Sequence, residues 1–157
     1  MKNALFLITF LIIASSCSTV KESEVVVPEL QVETLQKAVL FGVGEEGFEQ
    51  GFKEITSIAE WKKTETQLSK INPFTTTFDI NNIDFSTHSL FLVTDEVRST
   101  GGYSLTAKNA TRTKGGDYIE ISIITPILPQ TDVLTQQVMI ILIEKKSNVI
   151  FRFVIEM

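Results

Sequence analysis

The hydrophobic residues of the chain form two kinds of run, continuous and alternating. The apolar runs LFLV (90–93) and VMIILI (138–143) are continuous, which is typical of strands covered on both faces. Apolar and polar residues alternate over 103–108, 119–123 and 149–155, which predicts strands with one buried and one exposed face. Most of the chain is therefore expected to form β-sheet.

One segment of the chain has the period of a helix. Ser57-Ile58-Ala59-Glu60 has the spacing of a capping box, in which the serine caps the first turn and the glutamate bonds back. We expect the helix to run from Ile58 to Ser69 and to end before Pro73. The side chains that share roughly one face of it, and should pack inward, are Ile58, Trp61, Leu68 and Ile71.

Turns and short runs complete the predicted fold. Apolar runs at 38–41 and 52–56 predict two strands before the helix. The glycines of Lys114-Gly115-Gly116-Asp117 fit a two-residue hairpin turn, because both can adopt positive φ. A turn over 145–148 predicts that the last two strands pair as an antiparallel hairpin. The predicted fold class is α+β: a mainly antiparallel sheet, as a sandwich or an open barrel, with one packed helix.

The first residues have the pattern of an export signal. A short positive start is followed by an apolar run over 4–14 and by small residues before Cys17, which predicts a signal peptide over 1–16. The run is far shorter than the roughly 20 apolar residues of a membrane-spanning helix. A cysteine directly after Ala14-Ser15-Ser16 resembles the lipobox of bacterial lipoproteins, in which this cysteine is acylated and becomes the first residue of the mature protein. We therefore expect lipidation of Cys17. A plain secretory signal is the alternative.

The rest of the chain divides into a tether and a domain. Residues 17–37 are predicted to be a lipidated tether, since they are polar and contain Pro28, and 38–157 to be the folded domain. The expected location is the bacterial cell envelope, on the outer membrane. A lipid on Cys17 makes that membrane one partner of the protein.

The net charge excludes some classes of partner, and the cysteine count excludes a disulfide. The net charge of −5 over 157 residues argues against nucleic acid, which requires a basic surface. It also argues against electrostatic docking on anionic lipid. Cys17 is the single cysteine, so an intrachain disulfide is impossible.

The sequence offers little for catalysis. His88 is the only histidine, and no Gly-x-Ser-x-Gly motif accompanies it. Zinc would require several Cys or His ligands, so we expect no metal site and no cofactor. Carboxylates near strand ends could form an acid–base pair, but aspartates are also common at turns. These carboxylates are Asp79, Asp84, Asp95 and Glu96. We expect a protein that is not an enzyme.

The most distinctive stretch is the loop from Arg98 to Tyr103. Its glycines, Gly101 and Gly102, permit positive φ and leave backbone N–H groups open to a partner. Arginine and tyrosine are enriched at binding hot spots. We therefore assign Arg98, Thr100, Gly101, Gly102 and Tyr103 to a candidate partner-binding loop. The alternative is an ordinary glycine turn with Tyr103 packed inward.

This stretch resembles the PrcB family, exported proteins and lipoproteins named for a subunit of a spirochaete protease complex. The family pattern is an Asp-Phe before a hydrophobic strand, then Thr-Gly-Gly-Tyr-Ser and an aliphatic residue. The chain matches it with Asp84-Phe85, the run at 90–93 and Thr100–Leu105, and the likeness extends from about residue 38 to 154. It departs from the family at Val97-Arg98-Ser99, where a lysine-rich approach is common.

The resemblance implies a non-catalytic accessory subunit that stabilises or assembles an envelope protease. From it we expect a lipid-anchored protein-binding module. Two alternatives stay open. One is a protease inhibitor that binds through the Gly-Gly-Tyr loop, and the other is a structural envelope lipoprotein with no specific partner.

Overall fold

The computed structural model describes residues 30–113, 116–128, 132–145 and 149–156. The predicted signal peptide, Cys17 and the first part of the tether lie outside the described residues. The elements are β1 (Val32–Leu40), β2 (Gly51–Ile55), α1 (Ile58–Leu68), a 3₁₀ turn (Ile80–Asn82), β3 (His88–Arg98), β4 (Ser104–Thr113), β5 (Gly116–Ile124), β6 (Thr135–Glu144) and β7 (Val149–Glu156).

The strands form two sheets. The first sheet has the order β1-β6-β3-β2, and its neighbours are all antiparallel. The second has the order β4-β5-β7, in which β4 is antiparallel and β7 parallel to β5. The predicted α+β class, mainly antiparallel with one helix, is confirmed. The sheets are not closed into a barrel, so the sandwich is the form observed.

One layer of the core lies between the two sheets. Alternate residues of β3 and β6, such as Phe91 and Met139, meet the inward side of β5, including Ile121. Along one side of the sandwich Phe52 of β2 stacks on Phe151 and Phe153 of β7, with ring centroids 4.3 and 4.7 Å apart. Stacked and interleaved apolar side chains therefore join the sheets face to face.

A second layer lies on the other face of the first sheet. Leu90 and Leu92 of β3 point into it, opposite to Phe91, and pack with Trp61 and Leu68 of α1. The first sheet is thus covered on both faces, by the second sheet and by the helix. This two-sided burial explains why β3 and β6 are continuously apolar although they are antiparallel.

The helix has the predicted start, with a small change in its capping. The Ser57 hydroxyl accepts a hydrogen bond from the Glu60 N–H at 3.2 Å. The Glu60 carboxylate accepts from the N–H and hydroxyl of Thr56, one residue before the cap. Of the predicted inward face, Trp61 and Leu68 are buried, whereas Ile71 lies beyond the helix and is exposed.

The predicted hairpin of the last two strands is wrong. β6 pairs with β1 and β3 in the first sheet, whereas β7 lies in the second sheet, parallel to β5. The hydrophobic pattern fits this arrangement. β6 is apolar on both faces and takes a doubly covered position, whereas β7 alternates and joins the sheet that has one exposed face. Parallel neighbours require a long crossover, and β6 provides it.

Two predicted boundaries also change. β1 begins at Val32 and Leu30 is already buried in the core, so residues 30–37 belong to the domain and not to the tether. The alternation of half-buried and exposed positions from Val32 onward is a strand pattern that the polar residues between them conceal. In the β4–β5 hairpin, Gly116 belongs to β5 and pairs with Thr113, whereas the predicted turn residue Gly115 lies outside the described residues.

Candidate functional site

Several loops meet at one end of the sandwich, which we call the loop end. The strand registers place there the end of β1, the start of β2, the end of β3 and the start of β6. The short connection 99–103 brings the start of β4 to the same end, and β5 and β7 finish beside it. Loops 41–50 and 99–103 therefore share one surface with the described segments 125–128 and 132–134. Val32, His88 and Val149 begin their strands at the opposite end.

Arg98 makes a compact set of contacts at the loop end. Its Nε and Nη2 donate to the two carboxylate oxygens of Asp95, both at 2.9 Å. Nη1 lies 2.6 Å from Glu96 Oε1, and the guanidinium carbon lies 4.9 Å from the centroid of the Tyr103 ring. The hydrogen bonds to Asp95 raise the pKa of Arg98, so the guanidinium remains charged. We call Asp95, Glu96, Arg98 and Tyr103 the arginine clasp.

A β-bulge places Asp95 in the clasp. The pairing of β3 with β6 shifts between Thr94 and Val97, which turns the fully buried Asp95 toward Arg98. Asp95 Oδ1 also accepts from Gln50 Nε2 at 3.0 Å. Its backbone oxygen accepts from Gln136 Nε2 at 2.9 Å. The buried charge is therefore paired and fully engaged, as buried charges generally must be.

The glycine turn itself is partly buried. The Thr100 carbonyl accepts from the Thr135 hydroxyl at 3.2 Å, and Gly101 is buried. Gly102 is exposed and has φ +91°, a value that favours glycine. Tyr103 is half-buried, packs on the core between the sheets and lies against Arg98. Of the five predicted binding residues, Gly102 alone is fully open to a partner, and Arg98 directs its donors inward.

A second glycine turn lies beside the clasp, over residues 42–47. Val43 has φ +56°, a left-handed conformation that β-branched residues rarely adopt. Glu46 is 2% exposed, and neither of its carboxylate oxygens has a hydrogen-bond donor among the described residues. A Cβ at Gly42 would overlap that carboxylate. The turn is joined to the helix by Gln67 Nε2, which donates to the Glu46 carbonyl at 3.0 Å.

Exposed apolar side chains surround both turns. Phe41 and Val43 are more than half exposed, Leu128 is 74% exposed and Ile127 is completely exposed. Sequence reasoning missed this surface, although the Ile-Leu pair between Pro126 and Pro129 was a signal for it. The other exposed apolar side chains at this end are Val97, Ile124, Val133, Leu134 and Ile155. Such a concentration at one end of a small domain is typical of contact surfaces.

The border of this apolar surface is acidic. The exposed carboxylates at the loop end are Glu45, Glu49, Glu96 and Asp132. Lys70, near the end of the helix, is a nearby exposed base, and it donates to the Glu45 carbonyl. An apolar centre with an acidic border is complementary to a partner that has an apolar cleft and a basic border.

The other candidate carboxylates have structural contacts. Asp79 Oδ1 accepts from the Asn81 N–H at 3.0 Å and caps the 3₁₀ turn. Asp84 accepts from Ser86 and Thr87, and these hydrogen bonds lower the pKa of Asp84. His88, whose Nδ1 lies 2.9 Å from the Thr87 hydroxyl, begins β3 at the end away from the clasp. The predicted candidates therefore divide between two ends of the domain.

No group of three or more His, Cys, Asp or Glu side chains in the described part of the chain is placed to hold a metal ion. Within the same residues, no helix is both long and apolar enough to cross a membrane. Comparison of the chain with family models, with curated proteins and with solved structures found no match.

Proposed function

We propose that the protein is a lipid-anchored cell-envelope lipoprotein that acts as a non-catalytic protein-binding module, with the loop end as its binding surface. One observation carries the proposal: most of the exposed apolar side chains of the described residues gather around the arginine clasp at one end of the domain. The signal-peptide pattern and the position of Cys17 support the anchoring.

The arginine clasp supports this role by fixing the shape of the surface. Arg98 connects the bulge in β3 to Tyr103 at the start of the next strand, so the 99–103 turn is held at both ends. A rigid turn loses little conformational entropy when a partner binds. In this proposal Gly102 and the apolar neighbours contact the partner, and Arg98 positions them.

The position at which the N-terminal segment enters the domain supports a partner at the loop end, away from the membrane. Leu30 and the start of β1 lie at the end opposite to the loop end. A lipid at Cys17 would therefore attach the domain by that opposite end. The acidic border also favours a protein over a lipid surface, because anionic lipid repels carboxylates.

An envelope protease is the partner class that we propose, with this chain as an accessory subunit. The support is the PrcB-like pattern of Thr100–Leu105, which lies at the loop end. A second function, protease inhibition, is favoured by one separate observation: Ile127, which is fully exposed, and Leu128, which is 74% exposed, protrude into solvent after Pro126, as a segment that enters a cleft would.

The binding surface can be tested with charge substitutions. Ile127→Asp/Leu128→Asp places charge in the apolar surface, and both side chains are already exposed, so the fold should persist. Ile71→Asp, an exposed site outside the loop end, is the matched control. We expect photo-crosslinking in native envelopes to give a discrete adduct for the wild type and for Ile71→Asp, and to lose it for the double variant. Equal adducts from all three would exclude the loop end.

The anchor and the two functions have separate readouts. Labelled palmitate should enter the wild-type chain and not Cys17→Ser, which should also leave the membrane fraction. If the adduct is a protease, its activity with and without the chain separates an accessory subunit, which sustains activity, from an inhibitor, which lowers it. Unchanged activity would exclude both functions, and the absence of any discrete adduct would favour the structural lipoprotein instead.

A further inference from the structure

The four edge strands of the two sheets differ in how they are protected from pairing with another chain. Edge strands expose unpaired N–H and C=O groups, and proteins usually block them by shortness, by a bulge, by lysine or by proline. The edges of this sandwich are β1 and β2 in the first sheet and β4 and β7 in the second. Three of them have such features.

β1 has a register shift between Thr34 and Gln36 and carries Lys37. β4 has a register shift between Lys108 and Thr111. β2 is five residues long and carries Lys53. Each of these strands is therefore a poor template for an added strand.

β7 lacks these features. It is eight residues long, VIFRFVIE, with no proline or lysine, and its register with β5 is continuous from Val149 to Glu156. Within the described residues it pairs with β5 alone. Its composition, β-branched and aromatic residues around one arginine, is that of a strong strand former. Next to it, Tyr118 and Ile150 border a hollow of about 370 Å³ on the outer face of the second sheet.

We propose that the free edge of β7 pairs antiparallel with β7 of a second copy of this chain, which joins the two second sheets into one. A two-fold axis through Val154 sets Val154 opposite its own copy. The same register sets Arg152 of each chain opposite Glu156 of the other, because the two residues are equally spaced around Val154. Opposite charges across a strand pair are stabilising, and like charges are destabilising.

The alternative register, centred on Arg152, places two arginines directly opposite each other and is disfavoured for that reason. Arg152 lies near Glu120 and Glu156 near Lys108, at 3.1 and 2.5 Å, on the outer face. The new pairs would extend these contacts into a line of alternating charges across the joined sheet. The charge pattern thus favours the register centred on Val154 over the one centred on Arg152, and this complementarity supports a second copy of this chain as the occupant of the edge.

Cysteine cross-linking in the native membrane tests the pairing. Val154→Cys sets two thiols opposite each other across the axis, where the Cα separation of a strand pair matches that of a disulfide. Mild oxidation should convert this variant to a covalent dimer. Ile150→Cys on the same strand and Thr66→Cys on the exposed face of α1 should remain at the background of the parent chain, which has Cys17 alone. Equal yields at all sites, or no dimer from Val154→Cys, would overturn the proposal.

Light scattering of the detergent-solubilised full chain gives a second, independent measure. The wild type should have the mass of a dimer, and Val154→Lys should be monomeric, because it opposes two like charges at the axis. Ile150→Lys adds the same charge to the same strand outside the paired register and should stay dimeric. A far-UV spectrum equal to that of the wild type shows that each variant is folded. A monomeric wild type, or a dimeric Val154→Lys, would disprove pairing through β7.

Discussion

Two glycine turns lie side by side at the loop end, and each has a buried carboxylate in or beside it. Beside the turn that follows β3, Asp95 of that strand accepts three side-chain hydrogen bonds, two from Arg98 and one from Gln50. In the turn that follows β1, Glu46 is equally buried, but neither oxygen has a donor among the described residues. The comparison shows that equal burial has opposite consequences according to the partners of the charge.

The backbone conformations of the two turns differ as well, and the turn with the unpaired carboxyl group is again the less favourable one. Gly102 supplies the positive φ of the clasped turn, where the conformation has little cost. In the other turn Val43 adopts a left-handed conformation, which costs about 1–2 kcal/mol for a residue with a Cβ. Strain of this kind is common where a surface changes shape on binding. The clasped turn is therefore expected to be the more rigid part of the loop end, and the 42–47 turn the more strained part.

The largest expected effect is the loss of the clasp. Arg98→Met leaves Asp95 buried with Gln50 as its one remaining side-chain donor, and we expect the free energy of unfolding to fall by about 3 kcal/mol. Lys62→Met removes an exposed cation on α1, away from the loop end and from β7, and should change the free energy of unfolding by less than about 0.5 kcal/mol. Denaturant unfolding of both variants measures the difference. Equal losses would show that Asp95 does not need Arg98.

Glu46 should respond in the opposite direction. Glu46→Gln replaces a buried carboxyl group that has no donor among the described residues with an amide, which costs less to bury than a carboxylate, so we expect a gain of about 1–2 kcal/mol. Glu45→Gln, its exposed neighbour, should change stability by less than about 0.5 kcal/mol. The same unfolding experiment applies. Destabilisation by Glu46→Gln would mean that the carboxylate has a favourable partner after all.

A smaller gain should come from the backbone of the strained turn. Asparagine tolerates the left-handed conformation better than valine, so Val43→Asn should stabilise the domain by about 0.5–1 kcal/mol. Val39→Asn, an exposed position within β1, should be neutral or destabilising because asparagine is a poor strand residue. Thermal unfolding of the pair measures the difference. A lower midpoint for Val43→Asn would argue against strain at this position.

The smallest effect on stability is expected for Glu60, a carboxylate that is exposed but hydrogen-bonded. Hydrogen bonds from Thr56 lower the pKa of Glu60 in the folded protein below its usual value of 4.5. Its contribution is therefore present above pH 4.5 and is lost as the pH falls through the lower folded pKa. A pH series of thermal unfolding should show a shallower acid slope for Glu60→Gln than for the wild type. Identical slopes would contradict the pairing.

The local structure of the domain was predictable because each strand and the helix have a period of their own. The continuous runs of β3 and β6 indicate burial on both faces, and Ser57 with Glu60 locates the start of the helix. The pairing of β7 was not predictable, because alternation identifies the faces of a strand and not its neighbours. The start of β1 was missed because polar residues separate its half-buried positions.

The sequence predicted where the candidate site lies, but it did not predict the role of each residue in it. Thr100-Gly101-Gly102-Tyr103 indicates a turn, and the turn is where the sequence places it. The clasp depends on a bulge between Thr94 and Val97, and a one-residue shift leaves no mark in the hydrophobic pattern. Sequence alone therefore could not show that Arg98 faces inward. The apolar surface combines residues from loops that are distant along the chain, so no local pattern reports it.

The chain leaves the second sheet after β5, forms β6 in the first sheet and returns to the second sheet as β7. This order of strands affects how the domain folds. β6, residues 135–144, is a central strand of the first sheet, and β7 supplies the third strand of the second. When the chain is delivered from its N-terminus, neither sheet is complete until nearly the whole polypeptide has emerged. Contacts of such large sequence separation form slowly. The topology should thus keep a growing chain open until its last strands arrive, which would suit the export that we propose for this protein.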